Sequence, residues 1–257
     1  MLNIKRHKIF LGGIAVLLLG FSHFATAQTQ RTYAVLSLIG DKLDIVTAAP
    51  VTGSNLDRNH HELIPLDSSV FDDAALFGAE KAIIKGEASA KVTLLRSNEA
   101  KLFALQERIL DADADADELL KGILLVAKDS QVTHLILVAK YRGEAELKLK
   151  YENTGHGKLK GLGFYVDRNK KVRRSDTGEN GFGFLAPYCY IKAMLIDTQT
   201  GAILRSEKSA TGTAWSAARA KNSTHPWDVL SPQEKITTIE RMVKSETEKL
   251  VTLVLAE

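Results

Sequence analysis

Runs of apolar residues divide this chain into segments with the period of strands and segments with the period of helices. Runs rich in β-branched and aromatic residues predict strands. These strands lie at residues 32–39, 43–48, 90–96, 133–141, 144–151, 161–166, 188–196 and 202–206. Apolar positions three and four residues apart predict three internal helices, at about residues 69–86, 98–110 and 114–128.

The C-terminal segment carries the most complete helix signal. Ser231 can cap the helix, Pro232 occupies the position where a missing N–H costs nothing, and Glu234 completes a capping box. The apolar side chains that follow have helical spacing along one face: Ile236, Ile239, Val243, Leu250 and Val254. A long C-terminal helix is therefore predicted to dock on a sheet.

The connections between these segments favour an α+β fold. Gly40-Asp41 predicts a tight hairpin between the first two strands, residues 197–201 predict a second hairpin, and residues 50–62 predict a polar loop. Short turns of this kind join strands that pair antiparallel. We therefore predict a mixed, mainly antiparallel sheet covered by helices, within a single domain of residues 28–257.

The first 27 residues have the three parts of a secretory signal peptide. Lys5, Arg6 and Lys8 precede an apolar run at residues 9–21, and residues 25–27 (ATA) predict cleavage after Ala27. The alternative is a retained anchor, but that run is shorter than the roughly 20 residues needed to span a bilayer. No cysteine stands at the cleavage site to carry a lipid. We expect a periplasmic protein that does not stay inserted in the membrane after cleavage.

Removal of this signal peptide changes the charge balance. The whole chain has 34 Lys+Arg and 31 Asp+Glu. Three of the basic residues lie within residues 1–27, which leaves 34 − 3 = 31 basic against 31 acidic residues. A nucleic-acid partner is not expected, because general binding to nucleic acid needs a basic excess.

Residues 155–187 are the best candidate for a binding segment. Two short glycine–phenylalanine pieces (GLGF and GFGF) flank a polar tract with a high density of cations. The candidate binding residues are Arg168, Lys170, Lys171, Arg173, Arg174, Phe164, Phe182 and Phe184. One interpretation is a loop that binds an envelope protein or an anionic envelope polymer, since long loops are often functional. The other is a solvated hairpin whose aromatic residues pack at its base.

Other chemically suggestive residues have plain structural explanations. The Asp111–Asp117 run has Ala116 where a calcium-binding EF-hand loop needs glycine, and a helix boundary explains its carboxylates. His60 and His61 lack the spacing of a zinc-protease helix. Cys189 alternates in phase with apolar neighbours, so we expect it to be buried and inert. No cofactor or metal is predicted.

Three hypotheses for function remain open. The first is a non-enzymatic binding or interaction module of the cell envelope. The second is a hydrolase-type enzyme that uses an unrecognised arrangement of His134, His225 or Cys189 with nearby carboxylates. The third is a metal-binding protein that uses His60, His61 and the Asp111–Asp117 run. Oligomeric state is not predicted by the sequence.

Two features resemble a known group of envelope proteins. An apolar strand at residues 133–141 (THLILVAKY) precedes a strand–turn–strand unit at residues 191–204 (IKAMLIDTQTGAIL), and a C-terminal helix follows. This order resembles the α+β domains of the curli-assembly lipoprotein and penicillin-binding-protein-activator type. The chain also resembles exported proteins of Gram-negative bacteria. The resemblance implies a periplasmic, non-enzymatic role, but the chain departs from the lipoproteins because it lacks the lipobox cysteine.

Overall fold

The computed structural model describes residues 31–50, 59–112, 119–124, 131–149, 152–174, 177–220 and 225–256. The predicted signal peptide, residues 1–27, lies outside them. None of the helices in the described part of the chain has both the length and the apolar character needed to cross a membrane.

Twelve strands and three helices with defined bounds make up the described fold. The strands are β1 (Thr32–Leu38), β2 (Lys42–Thr47), β3 (His60–Pro65), β4 (Lys91–Leu95), β5 (His134–Lys140), β6 (Arg142–Glu144), β7 (Leu147–Lys148), β8 (Asn153–Thr154), β9 (Lys158–Arg173), β10 (Asn180–Asp197), β11 (Ile203–Gly212) and β12 (Trp215–Ser216). The helices are α1 (Val70–Gly86), α2 (Ala100–Ala112) and α3 (Pro232–Leu255). Two 3₁₀ turns, Ala217–Arg219 and Pro226–Val229, precede α3, and residues 119–124 are also helical.

A ten-stranded mixed sheet forms the centre of the fold, as the sequence predicts. Its strand order is β3-β2-β9-β10-β5-β1-β4, with β11 and β12 paired to β10 and β6 paired to β9. The pairs β1–β4, β1–β5 and β2–β9 are parallel, and the other pairs of this sheet are antiparallel. The predicted α+β class is therefore confirmed.

The long strand β10 organises this sheet, because two strands share one of its edges. Tyr190 of β10 pairs with Gly161 of β9, and the next residue, Ile191, pairs with Lys140 of β5. The strands β5 and β9 thus follow each other along β10. The connected strands β1 and β2 follow each other in the same way along β5 and β9.

The hairpin predicted at Gly40-Asp41 is wrong. Within the described residues β1 pairs with β4 and β5, and β2 pairs with β3 and β9, so the two strands do not pair with each other. The reason lies in α1, whose Asp72 Oδ1 accepts hydrogen bonds from Ser37 Oγ at 2.6 Å and from the N–H of Ile39 at 3.0 Å. These bonds hold the end of β1 against the start of the helix.

Helices cover both faces of the sheet around β1 and β5. The helices α1 and α3 pack on one face, against a core that includes Val35, Ile136 and Ile191. The helix α2 and residues 119–124 pack on the opposite face. The predicted capping box of α3 is confirmed, because Ser231 Oγ accepts from the N–H of Glu234 at 3.3 Å and Glu234 Oε2 accepts from the N–H of Ser231 at 2.8 Å.

Three local predictions need correction. Residues 60–62, predicted as loop, form the start of β3. The strand predicted at residues 144–151 is interrupted, because residue 144 ends β6 and residues 147–148 form β7, while residues 150–151 lie outside the described part of the chain. The polar tract after residue 166, predicted as a loop, is strand as far as Arg173, and it pairs with β10 from Asn180 onward. Residues 155–187 therefore contain most of a long antiparallel hairpin.

Candidate functional site

An irregularity in the β9–β10 hairpin positions the candidate binding residues. Phe182 pairs with Lys171 and Phe184 with Asp167, so three residues of β9, Arg168 to Lys170, lie opposite Gly183 alone. Asp167 Oδ1 stabilises this bulge, because it accepts from the N–H groups of Asn169 at 2.8 Å and Lys170 at 2.9 Å. The bulge carries the Arg168 side chain outward into solvent.

Glycine at position 183 allows a second segment to approach this bulge. Gly183 has φ +86°, and a Cβ atom there would lie 2.5 Å from the Asp167 carbonyl oxygen and 2.6 Å from Pro226 Cγ. The backbone of the hairpin and the 3₁₀ turn Pro226–Val229 therefore touch at this point. Glycine between the two phenylalanines thus permits the close approach of these two backbone segments.

The hairpin and the two 3₁₀ turns enclose a cleft of about 610 Å³. We call it the hairpin cleft. It is lined by Arg168, Asn180, Gly181, Phe182, Ala217, Ala218, Ala220, His225 and Pro226. Four of these residues are alanine or glycine, so the cleft has a wall of small side chains with one guanidinium group and one aromatic ring beside it.

The five candidate cations differ in their partners. Lys170 Nζ lies 3.1 Å from Glu152 Oε1, and Arg174 NH1 lies 3.1 Å from Glu179 Oε2. Arg173 donates from Nε to the carbonyl oxygen of Gly178 at 3.0 Å. Arg168 and Lys171, by contrast, form no ion pair with any described residue. These two side chains are the ones available to a negatively charged ligand.

The three candidate phenylalanines differ in how far they are exposed to solvent. Phe182 is 69% exposed at the cleft. Phe164 is buried and meets Trp227 edge to face, with ring centroids 5.5 Å apart. Phe184 is buried and stacks on Tyr165 at 5.9 Å. Phe164 and Phe184 thus stabilise the base of the hairpin, and Phe182 offers a ring to a ligand.

His225 has a structural contact at the edge of the cleft. Its Nδ1 accepts from the N–H of Trp227 at 3.2 Å, so the neutral ring carries its proton on Nε2. Behind it, Lys235 Nζ lies 4.4 Å from the Trp227 ring centroid and donates to the carbonyl oxygen of Leu230 at 2.6 Å. Burial lowers the pKa of this lysine.

The residues proposed for an enzyme do not form a reactive group. Cys189 is completely buried, and burial raises its pKa, which keeps the thiol protonated. His134 lies against Tyr33, with ring centroids 5.5 Å apart, and burial lowers its pKa. His225 lines the hairpin cleft, which includes neither of the other two residues.

The residues proposed for a metal site are also apart. His60 and His61 occupy neighbouring positions of β3, so their side chains leave opposite faces. His61 Nδ1 lies 2.9 Å from Asp44 Oδ2, and Asp111 pairs with Lys160 at 2.7 Å. Among the described residues no three histidine, cysteine, aspartate or glutamate side chains are grouped to hold an ion. Residues 113–118 lie outside the described part of the chain.

A buried ionic network near the end of β5 escaped the sequence analysis. Lys140 is 2% exposed, and its Nζ lies 2.5 Å from Asp41 Oδ1 and 2.6 Å from Glu107 Oε1. Glu107 Oε2 also lies 2.8 Å from Lys160 Nζ and 3.3 Å from Lys42 Nζ. Burial alone would raise the pKa of Glu107, but the ammonium groups of Lys140 and Lys160 outweigh it and hold that pKa at about 2.

This network forms one side of a second cleft, of about 540 Å³. Asp72 and Arg96 line its other side. Arg96 is paired with Asp73 at 2.8 Å, and Asp72 accepts from Ser37 and Ile39 at the end of β1. The charged groups around this second cleft are therefore largely engaged with one another, unlike Arg168 and Lys171.

Comparisons with known proteins show distant likenesses only. No family model matches the chain, and no curated protein matches it. A structure from Helicobacter pylori, described as a neuraminyllactose-binding hemagglutinin homologue, shares 8% identity at a TM-score of 0.38, over 89% of this chain and 87% of that one. A Xanthomonas campestris protein of family DUF330 shares 9% identity at a TM-score of 0.34, over 88% and 83%.

A third solved structure is the PelC dodecamer of Paraburkholderia phytofirmans. It shares 10% identity at a TM-score of 0.30, over 89% of each chain. The resemblance to curli-assembly and penicillin-binding-protein-activator proteins stays a prediction. At these identities and TM-scores, the solved structures assign neither a family nor a ligand to the chain.

Proposed function

We propose that this protein is a non-enzymatic binding module of the bacterial periplasm that holds an anionic envelope polymer in the hairpin cleft. One observation carries the proposal. Arg168, which has no ion-pair partner among the described residues, and Phe182, which is 69% exposed, border the same cleft. An unpaired cation beside an exposed ring suits a ligand that carries both negative charge and an apolar face.

The chemistry of the two side chains defines this ligand further. A guanidinium group binds carboxylate or phosphate through two parallel hydrogen bonds. The Phe182 ring can cover the C–H face of a sugar ring and remove it from water. A volume of about 610 Å³ lies within the range of sites that hold small organic groups. We therefore infer a polysaccharide segment with acidic sugars as the ligand.

The lining of the hairpin cleft favours binding over catalysis. Among the described residues that line it, none supplies a carboxylate or a thiol. The one imidazole, that of His225, uses Nδ1 to accept from the backbone of the following turn. General acid–base or covalent catalysis needs a second group beside a histidine or a nucleophile. A guanidinium group and a ring are sufficient for recognition.

Affinity electrophoresis tests this proposal. The native protein is run in gels that contain polygalacturonate, an acidic polysaccharide, or dextran, a neutral one. We expect retardation by polygalacturonate alone. The double variant R168S/K171S should bind about tenfold more weakly, since each exposed charge pair contributes up to about 1 kcal/mol. The matched control K91S/K101S removes the same net charge from β4 and α2. Each mobility is compared with that of the same protein in a polymer-free gel, and the control should be retarded as much as the native protein.

Two results would contradict the proposal. One is equal retardation of R168S/K171S and the native protein in polygalacturonate. The other is the absence of retardation in both gels. If covalent cross-linking joins the cleft to an acidic envelope protein, the ligand is that protein and not a polymer.

The periplasmic location has its own test. It rests on the predicted signal peptide, so the exported chain should begin at Gln28. Cell fractionation followed by N-terminal sequencing measures both the compartment and the first residue. Recovery of the full-length chain in the cytoplasm would overturn this part of the proposal.

A further inference from the structure

The strand β11 presents a long open edge. It has ten residues, compared with six in the edge strand β3 and five in the edge strand β4. Residues 203–208 are all exposed, and within the described chain β11 pairs with β10 alone. The outward N–H and C=O groups of such an edge are ready to pair with another strand.

Two uncompensated charges of opposite sign lie on this edge. Arg205 pairs with Leu195 of β10, and Glu207 pairs with Ala193, so both side chains leave the same face of the sheet. Neither forms an ion pair with a described residue. Lys208 on the other face is engaged, because its Nζ donates to Tyr141 Oη at 3.1 Å. Charged side chains on an edge strand usually prevent another strand from pairing with it. Arg205 and Glu207 carry opposite charges and lie two residues apart, so they can attract each other between two copies of this strand.

Symmetry restricts how two copies of β11 can pair. Around a twofold axis the strands run antiparallel, and directly opposed residues face the same side of the joined sheet. Side chains alternate between faces, so the axis must pass beside a residue and not between two. An axis at Arg205, Glu207 or Lys208 sets that charge against its own copy. An axis at Ser206 sets Arg205 of each copy opposite Glu207 of the other.

We propose that two copies of this chain dimerise by antiparallel pairing of their β11 strands about Ser206. Two Arg205–Glu207 pairs select this register, since opposite charges stabilise cross-strand pairs and like charges destabilise them. Ile203 and Leu204, which are 44% and 49% exposed, lie beside the joined strands and are partly covered. Because one strand from each copy makes the contact, the dimer dissociates on dilution.

Sedimentation velocity with charge-reversal variants tests the dimer. The native protein should shift from monomer to dimer as its concentration rises from about 10 μM to about 1 mM, the range in which a small interface is populated. R205E and E207R each replace two attractive pairs with two repulsive ones, so the dimer dissociation constant should rise more than about tenfold. The double variant R205E/E207R restores opposite charges and should restore the dimer. K91E on the edge strand β4 is the matched control.

Disulfide trapping tests the register independently of these charges. With the axis at Ser206, the variant S206C brings its two new thiols together, and oxidised glutathione should join them into a covalent dimer. A210C places an exposed thiol on the same strand and face but away from the axis, and it should stay monomeric. The native Cys189 is completely buried and does not compete.

Three outcomes would overturn this inference. They are a native protein that stays monomeric at about 1 mM, single charge variants that dimerise as well as the native protein, and equal trapping of S206C and A210C. None of these variants touches the hairpin cleft, so the dimer can fail while the proposed binding function stands.

Discussion

Loss of the Glu107 charge should destabilise the fold strongly at neutral pH. The substitution Glu107→Gln keeps the shape of the side chain but removes the negative charge that lies 2.6 Å from Lys140 Nζ and 2.8 Å from Lys160 Nζ. Lys140 is 2% exposed, so its ammonium group cannot turn to water when this partner is neutralised. Asp41 remains as its other anionic neighbour.

The pKa of Glu107 gives the size of the effect. That pKa is held at about 2 in the folded protein, against an ordinary value of 4.5. Each unit of difference corresponds to about 1.4 kcal/mol, which gives about 3 kcal/mol of stability from the ionised carboxylate at pH 7. Between these two pKa values the unfolded chain binds more protons than the folded one. The contribution is therefore complete above the ordinary pKa and decreases as the pH falls toward 2.

Urea unfolding followed by circular dichroism measures this contribution. We expect Glu107→Gln to lose about 3 kcal/mol relative to the native protein at pH 7, and about half of that at pH 3. Glu248→Gln, which removes an exposed partner of Lys81, is the control and should change little at either pH. Equal stability of Glu107→Gln and the native protein at pH 7, or a loss that does not depend on pH, would refute this reasoning.

Three further substitutions or reactions test local parts of the fold. Gly183→Ala should lower the free energy of unfolding by about 2 kcal/mol or more, because of the positive φ and the close backbone contact. Gly86→Ala is the control, since a Cβ there meets nothing within 4 Å, and it should leave the free energy of unfolding unchanged. Equal effects of the two substitutions would contradict this prediction. Ser231→Ala should lower the free energy of unfolding by about 1 kcal/mol through loss of the helix cap, so an unchanged urea midpoint would be inconsistent with it. Cys189 should react with a thiol reagent only in the unfolded protein; rapid reaction of the folded protein would show an accessible thiol.

Elements with strong local signals were predictable from the sequence. The C-terminal helix carries its own start signal in Ser231, Pro232 and Glu234, and the structure begins α3 at Pro232. The second predicted hairpin is confirmed, since β10 and β11 pair antiparallel across the predicted turn at residues 197–201. Periodicity and turn chemistry are enough for such elements because the contacts that decide them are close in sequence.

Elements decided by distant contacts were not predictable. The pairing of β1 with β5 joins residues about a hundred positions apart. No local sequence pattern indicates that β1 pairs with β5 instead of β2. Residues 167–173 of the hairpin were predicted as a loop because most of their side chains are polar or charged. Only one of them, Val172, is buried, at 5% exposure, so no alternating apolar pattern marks the strand. Lys140 lies next to the end of the apolar strand predicted at residues 133–141, and nothing in that pattern marks it as buried. Its partner Glu107 comes from a different element, α2, so the sequence gives no sign of their meeting.

The candidate site was predictable in part. Composition directed attention to residues 155–187, and Arg168 and Phe182 from that segment do line a cleft. The other wall of the cleft comes from Ala217, Ala218, Ala220, His225 and Pro226, which no sequence pattern connected to the hairpin. Which cations already have partners also depends on the fold, because Lys170 pairs with Glu152, which directly precedes β8.

Hydrogen exchange of the protein with and without an acidic oligogalacturonate tests the proposed function most directly, because it shows where the ligand binds. The proposal predicts slower exchange at the amides of residues 180–182, 217, 218 and 220, which line the hairpin cleft. It also predicts that this protection is lost in R168S/K171S. Protection confined to the second cleft beside Asp72, or no protection anywhere, would contradict the account.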